Sequence, residues 1–389
     1  MAPPHSAPPP PTCPLFRHRQ LSPTANVRVS PICLGAMNFG EAHKERMGEC
    51  SKETAFEILD TFKNCGGNFV DTANGYQNGE SEEWLGEWLD SRNCRDEMVI
   101  ATKFSSAYRT HEKEKIQSNF GGNGTKSLRV SVDNSLKRLQ TSYIDLLYLH
   151  WWDYATTIPE LMHSLNDLVV SGKVMYLGIS DSPAWVVAKA NQYARDHGLR
   201  QFAVYQGKWN AAMRDFERDI IPMCTDEGMA LLPYGTLGQG HFQTEARFKK
   251  REESNPGRKG KPSSIERAVS KVMEDLASAK DTEITSIAMA YVMHKAIYIF
   301  PLVGGRKVDH IKGNIDALTV DLTEEDIAKI EGAYRFDPGF PHNFLSGSLW
   351  DDEDDTPKVA QGPQDVWLTS ILGTFDWVKG LKPIKAFKE

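Results

Sequence analysis

Asn68-Phe69-Val70-Asp71-Thr72-Ala73-Asn74-Gly75-Tyr76 reads as a short apolar strand that ends on a carboxylate and passes directly into a polar loop carrying Tyr76. Two later apolar runs end the same way. Val99-Ile100-Ala101-Thr102-Lys103 ends on a lysine, and Ile144-Asp145-Leu146-Leu147-Tyr148-Leu149-His150 ends on a histidine. Three successive strands thus deliver an ionisable group at their C-terminal ends. In a barrel of parallel strands those ends share one face, the face that carries active sites.

Outward from this stretch, apolar runs alternate with helical patterns. The run 32–36 precedes it. Later runs lie at 174–180, 202–206, 229–234 and 298–303. Between them the apolar residues recur at helical spacing, as in Phe56, Leu59 and Phe62, or Leu128, Val132, Leu136 and Leu139. Ser81 is a good N-cap candidate before Trp84, Leu85, Trp88 and Leu89. Further helices are expected at 158–171, 184–196, 216–227, 264–279, 283–294 and 307–317. Another is capped by Thr323, with Asp326 in the box position. Eight strands alternating with helices imply a closed (β/α)8 TIM barrel of the α/β class. The Gly-x-Gly-x-x-Gly of a doubly wound dinucleotide fold is missing after the first strand.

The 389 residues exceed the ~250 of an ordinary barrel. The excess is expected in a disordered Pro-rich N-terminus (1–20), an insertion after the seventh strand (about 238–262), and a C-terminal extension (336–389) that packs on the barrel domain (21–335) through its aromatic stretch Trp367 to Trp377. The acidic run at 351–355 reads as a solvated turn. The basic run from Arg247 to Lys261 reads as a solvated insertion or a cover for a ligand. A net charge of −7 gives no reason to expect nucleic acid as a partner. No apolar run approaches the ~20 residues of a membrane span. Six cysteines without C-x-x-C spacing, and no secretory signal pattern, point to free thiols in a cytoplasmic protein. No histidine spacing suggests a metal site.

A phenol is a poor acid at neutral pH, but an adjacent ammonium stabilises its anion and a carboxylate holds that ammonium in place. Asp71, Tyr76 and Lys103 would form such a relay, and His150 could orient a carbonyl oxygen. The set suits carbonyl reduction, with the hydride supplied by a cofactor.

With these residues in view, the sequence resembles the aldo-keto reductase superfamily over roughly residues 28–335. The motifs are Gly35–Gly40, Asp71–Tyr76, Ala101-Thr102-Lys103, Leu149-His150, Gly172–Ser180, Gln206 with Asn210, and Gly304–Asn314. His150-Trp151-Trp152-Asp153-Tyr154 looks like the fungal aryl-alcohol dehydrogenase branch, which includes norsolorinic acid reductase-like enzymes. The resemblance implies a catalytic tetrad of Asp71, Tyr76, Lys103 and His150, with Tyr76 as proton donor. It also implies an NADP(H) site that includes Asp71. Ser180, Asp181 and Gln206 would hold the nicotinamide carboxamide, whereas Tyr205 would face the core. Tyr234, Gly235, Thr236, Leu237, Gly238, Gln239 and Gly240 would cradle the pyrophosphate. Gly304, Arg306, His310 and Asn314 would take the adenosine phosphate. Arg306 and Lys307 favour NADP(H) over NAD(H). His310, Gly313 and His241 depart from the residues most relatives carry. The implied substrate is a small aromatic carbonyl or alcohol, lined by His150 and Trp151. A second reading is a regulatory protein resembling the NADP(H)-binding potassium-channel β-subunits.

Overall fold

The computed structural model describes residues 11–248, 261–352, 357–378 and 380–387. The expectations for residues 1–10, for Lys249, Lys250, Arg251, Arg258 and Lys259, and for 353–355 of the acidic run lie outside the described residues. The chain opens with a hairpin, β1 (Arg19–Ser22) and β2 (Ala25–Val29). Eight parallel strands follow: β3 (Cys33–Gly35), β4 (Phe69–Asp71), β5 (Val99–Phe104), β6 (Ile144–Leu149), β7 (Val174–Ser180), β8 (Phe202–Lys208), β9 (Ala230–Tyr234) and β10 (Leu302–Val303). β10 pairs with both β3 and β9, so the sheet closes into a barrel.

Strand alternation explains both the core and the site. Phe69, Val99, Ala101, Leu146, Tyr148, Val204, Ala230 and Leu232 meet in one buried cluster, closed off by Leu21, Ala25 and Val29 of the hairpin. Two residues further along the same strands, on the same face, stand Asp71, Lys103, His150, Gln206 and Tyr234. One periodicity therefore fills the barrel with apolar side chains and ends each column on a polar group.

A second cluster joins the outer strand faces to the helices. α1 (Lys52–Asn64) buries Ala55, Ile58, Leu59 and Phe62, whereas Phe56 is half-buried beside Arg92. α3 (Thr125–Arg138), α4 (Ile158–Val170), α5 (Ala184–Asp196), α7 (Ser264–Ala279), α8 (Ile284–Lys295) and α9 (Val308–Asp316) fall close to the predicted spans. Thr323 and Asp326 form a reciprocal capping box for α10 (Glu324–Glu331).

Four expectations need correction. The N-terminal segment is ordered from residue 11: Leu15 is buried, and Arg19 pairs with Val29. Ser81 is not a cap. It lies inside α2 (Glu80–Arg92), where its hydroxyl donates to the Ala36 carbonyl at 2.8 Å and also bonds the Thr72 hydroxyl. A long-range pair of bonds outcompetes the local one. The 216–227 helix breaks at Asp219 into a 3-10 turn, Asp215–Glu217, and α6 (Ile220–Asp226). The 298–303 run forms strand only at its end. Tyr298 sits at φ +51° and Pro301 lacks an N–H, so just Ile299 bridges to Leu231 before β10.

The C-terminal extension touches the barrel at separate points. Arg218 donates to the Asp337 carbonyl at 3.1 Å, and the Phe387 N–H donates to that of Leu318 at 2.9 Å. The aromatic stretch does not pack on the barrel as expected. Trp367 stacks edge-on against Trp350 and donates to the Phe344 carbonyl, within the extension, while Leu372 and Val378 are exposed. Among the described residues no helix is long and apolar enough to cross a membrane.

Behind β8 lies a buried charge network. Arg214 holds Glu217 through two bonds of 3.0 and 2.7 Å and reaches Glu331 at 3.4 Å. Lys295 pairs with both carboxylates, and the Tyr291 hydroxyl donates to Glu331 at 3.1 Å. Phe336 lies over both Arg214 and Arg218, which anchors the start of the extension. Removing one member of such a pair strands a buried charge. Arg214→Met should lower the unfolding free energy by about 3 kcal/mol, read by urea denaturation. A loss below about 1 kcal/mol would mean that Lys295 alone satisfies Glu217.

Candidate active site

Asp71 ends β4 and Lys103 lies near the end of β5, and both side chains are buried. The Lys103 ammonium donates to Asp71 Oδ1 and, at 2.8 Å, to the Thr72 carbonyl. The other carboxylate oxygen of Asp71 accepts from Gln206 Nε2 at 3.0 Å, which ties β4 to β8 across the barrel. Burial pulls the Lys103 ammonium down, but Asp71 and Tyr76 outweigh it, so its net shift is upward and it stays charged. Burial pushes the Asp71 carboxyl up against the opposing pull of Lys103 and Gln206.

Tyr76 opens a short turn after β4. The Lys103 Nζ lies 5.1 Å from its ring centre, and the His150 ring meets it edge-on at 6.0 Å. Lys103 pulls the phenol down as expected from the sequence, but burial is the larger effect and the net shift is upward. The neighbouring charge is legible in the sequence, whereas the desolvation is not. Tyr76 therefore rests as the neutral acid.

His150 follows β6. Burial, helped by Lys103, drives its pKa down to about 3, so the imidazole is neutral. Its Nδ1 lies 3.2 Å from the Ser106 hydroxyl. Its backbone N–H donates to the Phe104 carbonyl and to the Ser105 hydroxyl. Asn123 completes the frame by donating to Ser105 Oγ and to the Trp151 carbonyl, and Asn123 and Asp153 exchange bonds of 2.8 Å in both directions. Sequence reading missed Ser105, Ser106 and Asn123. They lie in a long polar loop after β5 whose course has no periodic signal.

Asp71, Tyr76 and His150 open on one cavity of about 380 Å³. Ser180, Asp181, Gln206, Tyr234, Gly235, Thr236, Leu237, Gln239 and Gly304 also line it, as do Met37, Asn38, Leu302 and Val303. The Tyr234 hydroxyl donates to both Asp181 oxygens, at 3.3 and 3.2 Å. Tyr205 is buried and bonds Ser182, as a core residue would. Gly235, Gly238 and Gly240 have positive φ, and a Cβ at Gly238 would lie 2.6 Å from the Phe242 ring. The Asn210 amide donates to the Gly235 carbonyl at 2.9 Å, which braces this loop from β8. Gly238 and Gly240 themselves fall outside the cavity wall.

Arg306 and His310 are exposed beyond the cavity, and Asn314 is buried. The Arg306 guanidinium rests on Gly48, where a Cβ would lie 1.7 Å from its Nη1. Its backbone N–H donates to His310 Nδ1 at 3.4 Å. Among the described residues, the buried Asn38 Oδ1, Thr236 Oγ1 and Asn314 Nδ2 have no hydrogen-bond partner. Trp151 is 39% exposed and does not line the cavity, while Trp152 packs against the outer core cluster. The first part of the long insertion folds back on α7: His241 Nδ1 lies 2.7 Å from Glu266, and Arg267 covers the Phe248 ring.

Residues 31–335 match the model of the aldo/keto reductase family. The chain is 67% identical to norsolorinic acid reductase B of Dothistroma septosporum, over 95% of this chain and 94% of that one. It is 63% identical to norsolorinic acid reductase B of Aspergillus parasiticus, over 95% and 97%. Identity to an aryl-alcohol dehydrogenase of Pestalotiopsis microspora is 52%, over 97% and 95%. A closed parallel barrel, a cavity at the C-terminal ends of its strands and matches along nearly the whole length have one meaning: the chain is an oxidoreductase that belongs to the aldo/keto reductase family.

Proposed function

We propose that the protein is an NADPH-dependent reductase that interconverts aromatic or polyketide aldehydes and ketones with their alcohols in the cytoplasm, with Tyr76 as proton donor. The observation that carries this reading is the convergence, at one cavity, of a neutral phenol, a neutral imidazole and a carboxylate that fixes a buried ammonium beside the phenol. A phenol beside an ammonium can surrender a proton at an oxygen that is gaining charge. A neutral imidazole with Nδ1 occupied by Ser106 presents Nε2 toward that oxygen. If Ser106 donates, Nε2 carries the proton and donates in turn. Lys103 disfavours a second positive charge at His150 and favours the developing phenolate at Tyr76.

The residues fit a dinucleotide on their own chemistry. The orphaned Thr236 Oγ1 and Asn314 Nδ2 are buried polar atoms that call for a ligand. Gly304, where a Cβ would come 3.2 Å from the Gly35 carbonyl, lets the backbone approach closely. Loops after the last two strands of a barrel favour phosphate. In this reading Ser180, Asp181 and Gln206 hold the carboxamide, residues 234–240 the pyrophosphate, and Gly304, Arg306, His310 and Asn314 the adenosine phosphate. Arg306 forms no ion pair among the described residues, which suits a 2′-phosphate. When bound, the reduced nicotinamide supplies the hydride. Relatives named as norsolorinic acid reductases and an aryl-alcohol dehydrogenase support an aromatic substrate. Trp151 belongs to the outer lip in this proposal. The domain limits proposed are 21–335 for the barrel and 336–389 for the extension.

Four measurements test the roles. Tyr76→Phe should reduce NADPH-dependent turnover of an aryl aldehyde such as veratraldehyde by about 10³-fold, with cofactor affinity kept. Equal rates would remove Tyr76 from its role. Ser106→Ala should cut kcat by about tenfold by freeing the imidazole tautomer, and Ser106→Thr should restore it. In ¹⁵N spectra the His150 ring should stay neutral from pH 5 to 8, because its folded pKa lies well below that range. A ring that titrates near its ordinary value would contradict the buried geometry. Arg306→Ala should weaken NADPH binding by about tenfold or more and leave NADH nearly unchanged. Equal losses for the two would take Arg306 off the 2′-phosphate.

A further inference from the structure

Charge is distributed unevenly around the cavity. Two carboxylates line it, Asp71 and Asp181. Asp71 is neutralised by the Lys103 ammonium in direct contact, and His150 is neutral. Asp181 has no cation against it among the described residues. Its hydrogen-bond donor is the Tyr234 hydroxyl, which is neutral. The side chain keeps contact with solvent; partial burial pushes its carboxyl up, against the opposing pulls of the Tyr234 hydroxyl and of the more distant Lys103 ammonium. The wall of the cavity therefore carries one carboxylate with no cation in direct contact among the described residues. Its position is fixed. Asp181 follows β7 at φ +39°, a left-handed conformation that Asp and Asn tolerate better than most residues. Its N–H donates to the Gln206 carbonyl at 3.1 Å. The Asp181 charge also reaches the Tyr76 phenol, so the two lie in one electrostatic neighbourhood.

Oxidised and reduced nicotinamide differ by one unit of charge on the ring: the oxidised ring is a cation and the reduced ring is neutral. Hydride transfer to a carbon whose oxygen lies at Tyr76 requires that ring to sit in this cavity, so the inference rests on the function proposed above. We propose that Asp181 is a charge selector that makes the site bind oxidised nicotinamide dinucleotide more tightly than reduced. Two opposite unit charges roughly 5 Å apart in a partly wetted site change affinity by about tenfold or more. The phosphate contacts are common to both forms and cancel in the ratio. By linkage the same factor shifts the bound equilibrium toward alcohol with oxidised cofactor, so it favours carbonyl reduction on the protein. In that direction the carbonyl carbon takes a hydride from the reduced ring and its oxygen takes a proton, leaving alcohol and oxidised cofactor. Charge selection at Asp181 would thus bias the direction of a reaction whose acid and base groups are indifferent to it.

The test is equilibrium binding of NADP⁺ and NADPH by titration calorimetry, on the full-length wild type, Asp181→Asn and Asp181→Glu. Asn has the same shape and accepts the same backbone conformation, so the fold should be preserved, and Glu keeps the charge. The expected result is that Asp181→Asn weakens NADP⁺ by about tenfold and changes NADPH by less than about twofold. Asp181→Glu should retain most of the wild-type preference for NADP⁺. Equal losses for both forms would make Asp181 a plain hydrogen-bonding contact and overturn the inference. An unchanged ratio in Asp181→Asn would overturn it as well. Wild type that bound neither dinucleotide would overturn the cofactor reading itself.

Discussion

The contact on which the site depends is the buried ammonium of Lys103 against the carboxylate of Asp71. Neither charge is tolerable in the barrel alone, because an isolated buried ion costs far more than a typical domain can spare. Each supplies the counter-charge the other needs, and the remaining valences are filled: Lys103 also bonds the Thr72 carbonyl, and Asp71 also accepts from Gln206. These bonds tie the neighbouring strands β4 and β5 to β8, which lies across the barrel from them. The pair therefore does two things at once. It fixes the mouth of the barrel, and it leaves an ammonium aimed at a phenol in a site that water does not level.

The apolar filling below makes that possible. Val99, Ala101, Leu146, Tyr148 and Leu232 close the barrel under the pair, and the hairpin residues Leu21, Ala25 and Val29 seal the far end. Desolvation sets the direction of the shifts at Tyr76 and His150 above this layer. It lifts Tyr76, lowers His150, and would lower Lys103 if Asp71 and Tyr76 did not oppose it. The hairpin contributes no residue to the cavity wall, yet it excludes solvent from the layer on which the electrostatics depend.

The barrel and its polar layer were legible because both follow from period-two alternation, which a sequence displays directly. Asp71, Lys103 and His150 each stand at the end of an apolar run, and the structure brings them together with Tyr76. Gln206 and Tyr234 follow the same rule. What was not legible depends on distant partners. Ser81 looked like a cap until the Ala36 carbonyl claimed its hydroxyl. Ser106 and Asn123 sit in an aperiodic loop, and only the folded chain brings them to His150. The extension misled because aromatic content signals burial without naming the surface, and Trp367 finds Trp350 in its own segment. The direction of the Tyr76 shift was missed for a similar reason: sequence reveals a neighbouring charge more readily than the depth at which it acts.

That shift bears on how the proposed chemistry would work. A lysine beside a tyrosine is easily taken to create a standing phenolate. Here burial outweighs the ammonium, and the phenol rests protonated. A proton donor gains from this, since it must hold its proton until the acceptor develops charge. The ammonium matters later, as the proton departs and negative charge appears on the phenol oxygen next to a cation already in place. Its stabilisation is then greater in the transition state than in the ground state, the condition for an interaction to raise kcat. Because Asp71 and Gln206 hold the ammonium before any substrate arrives, no reorganisation is needed at that moment. A fully solvated lysine would offer the same charge, but in water its attraction for the phenolate would fall several-fold. In this reading, the burial that makes Tyr76 a weaker resting acid is the same burial that makes Lys103 an effective partner when the proton moves.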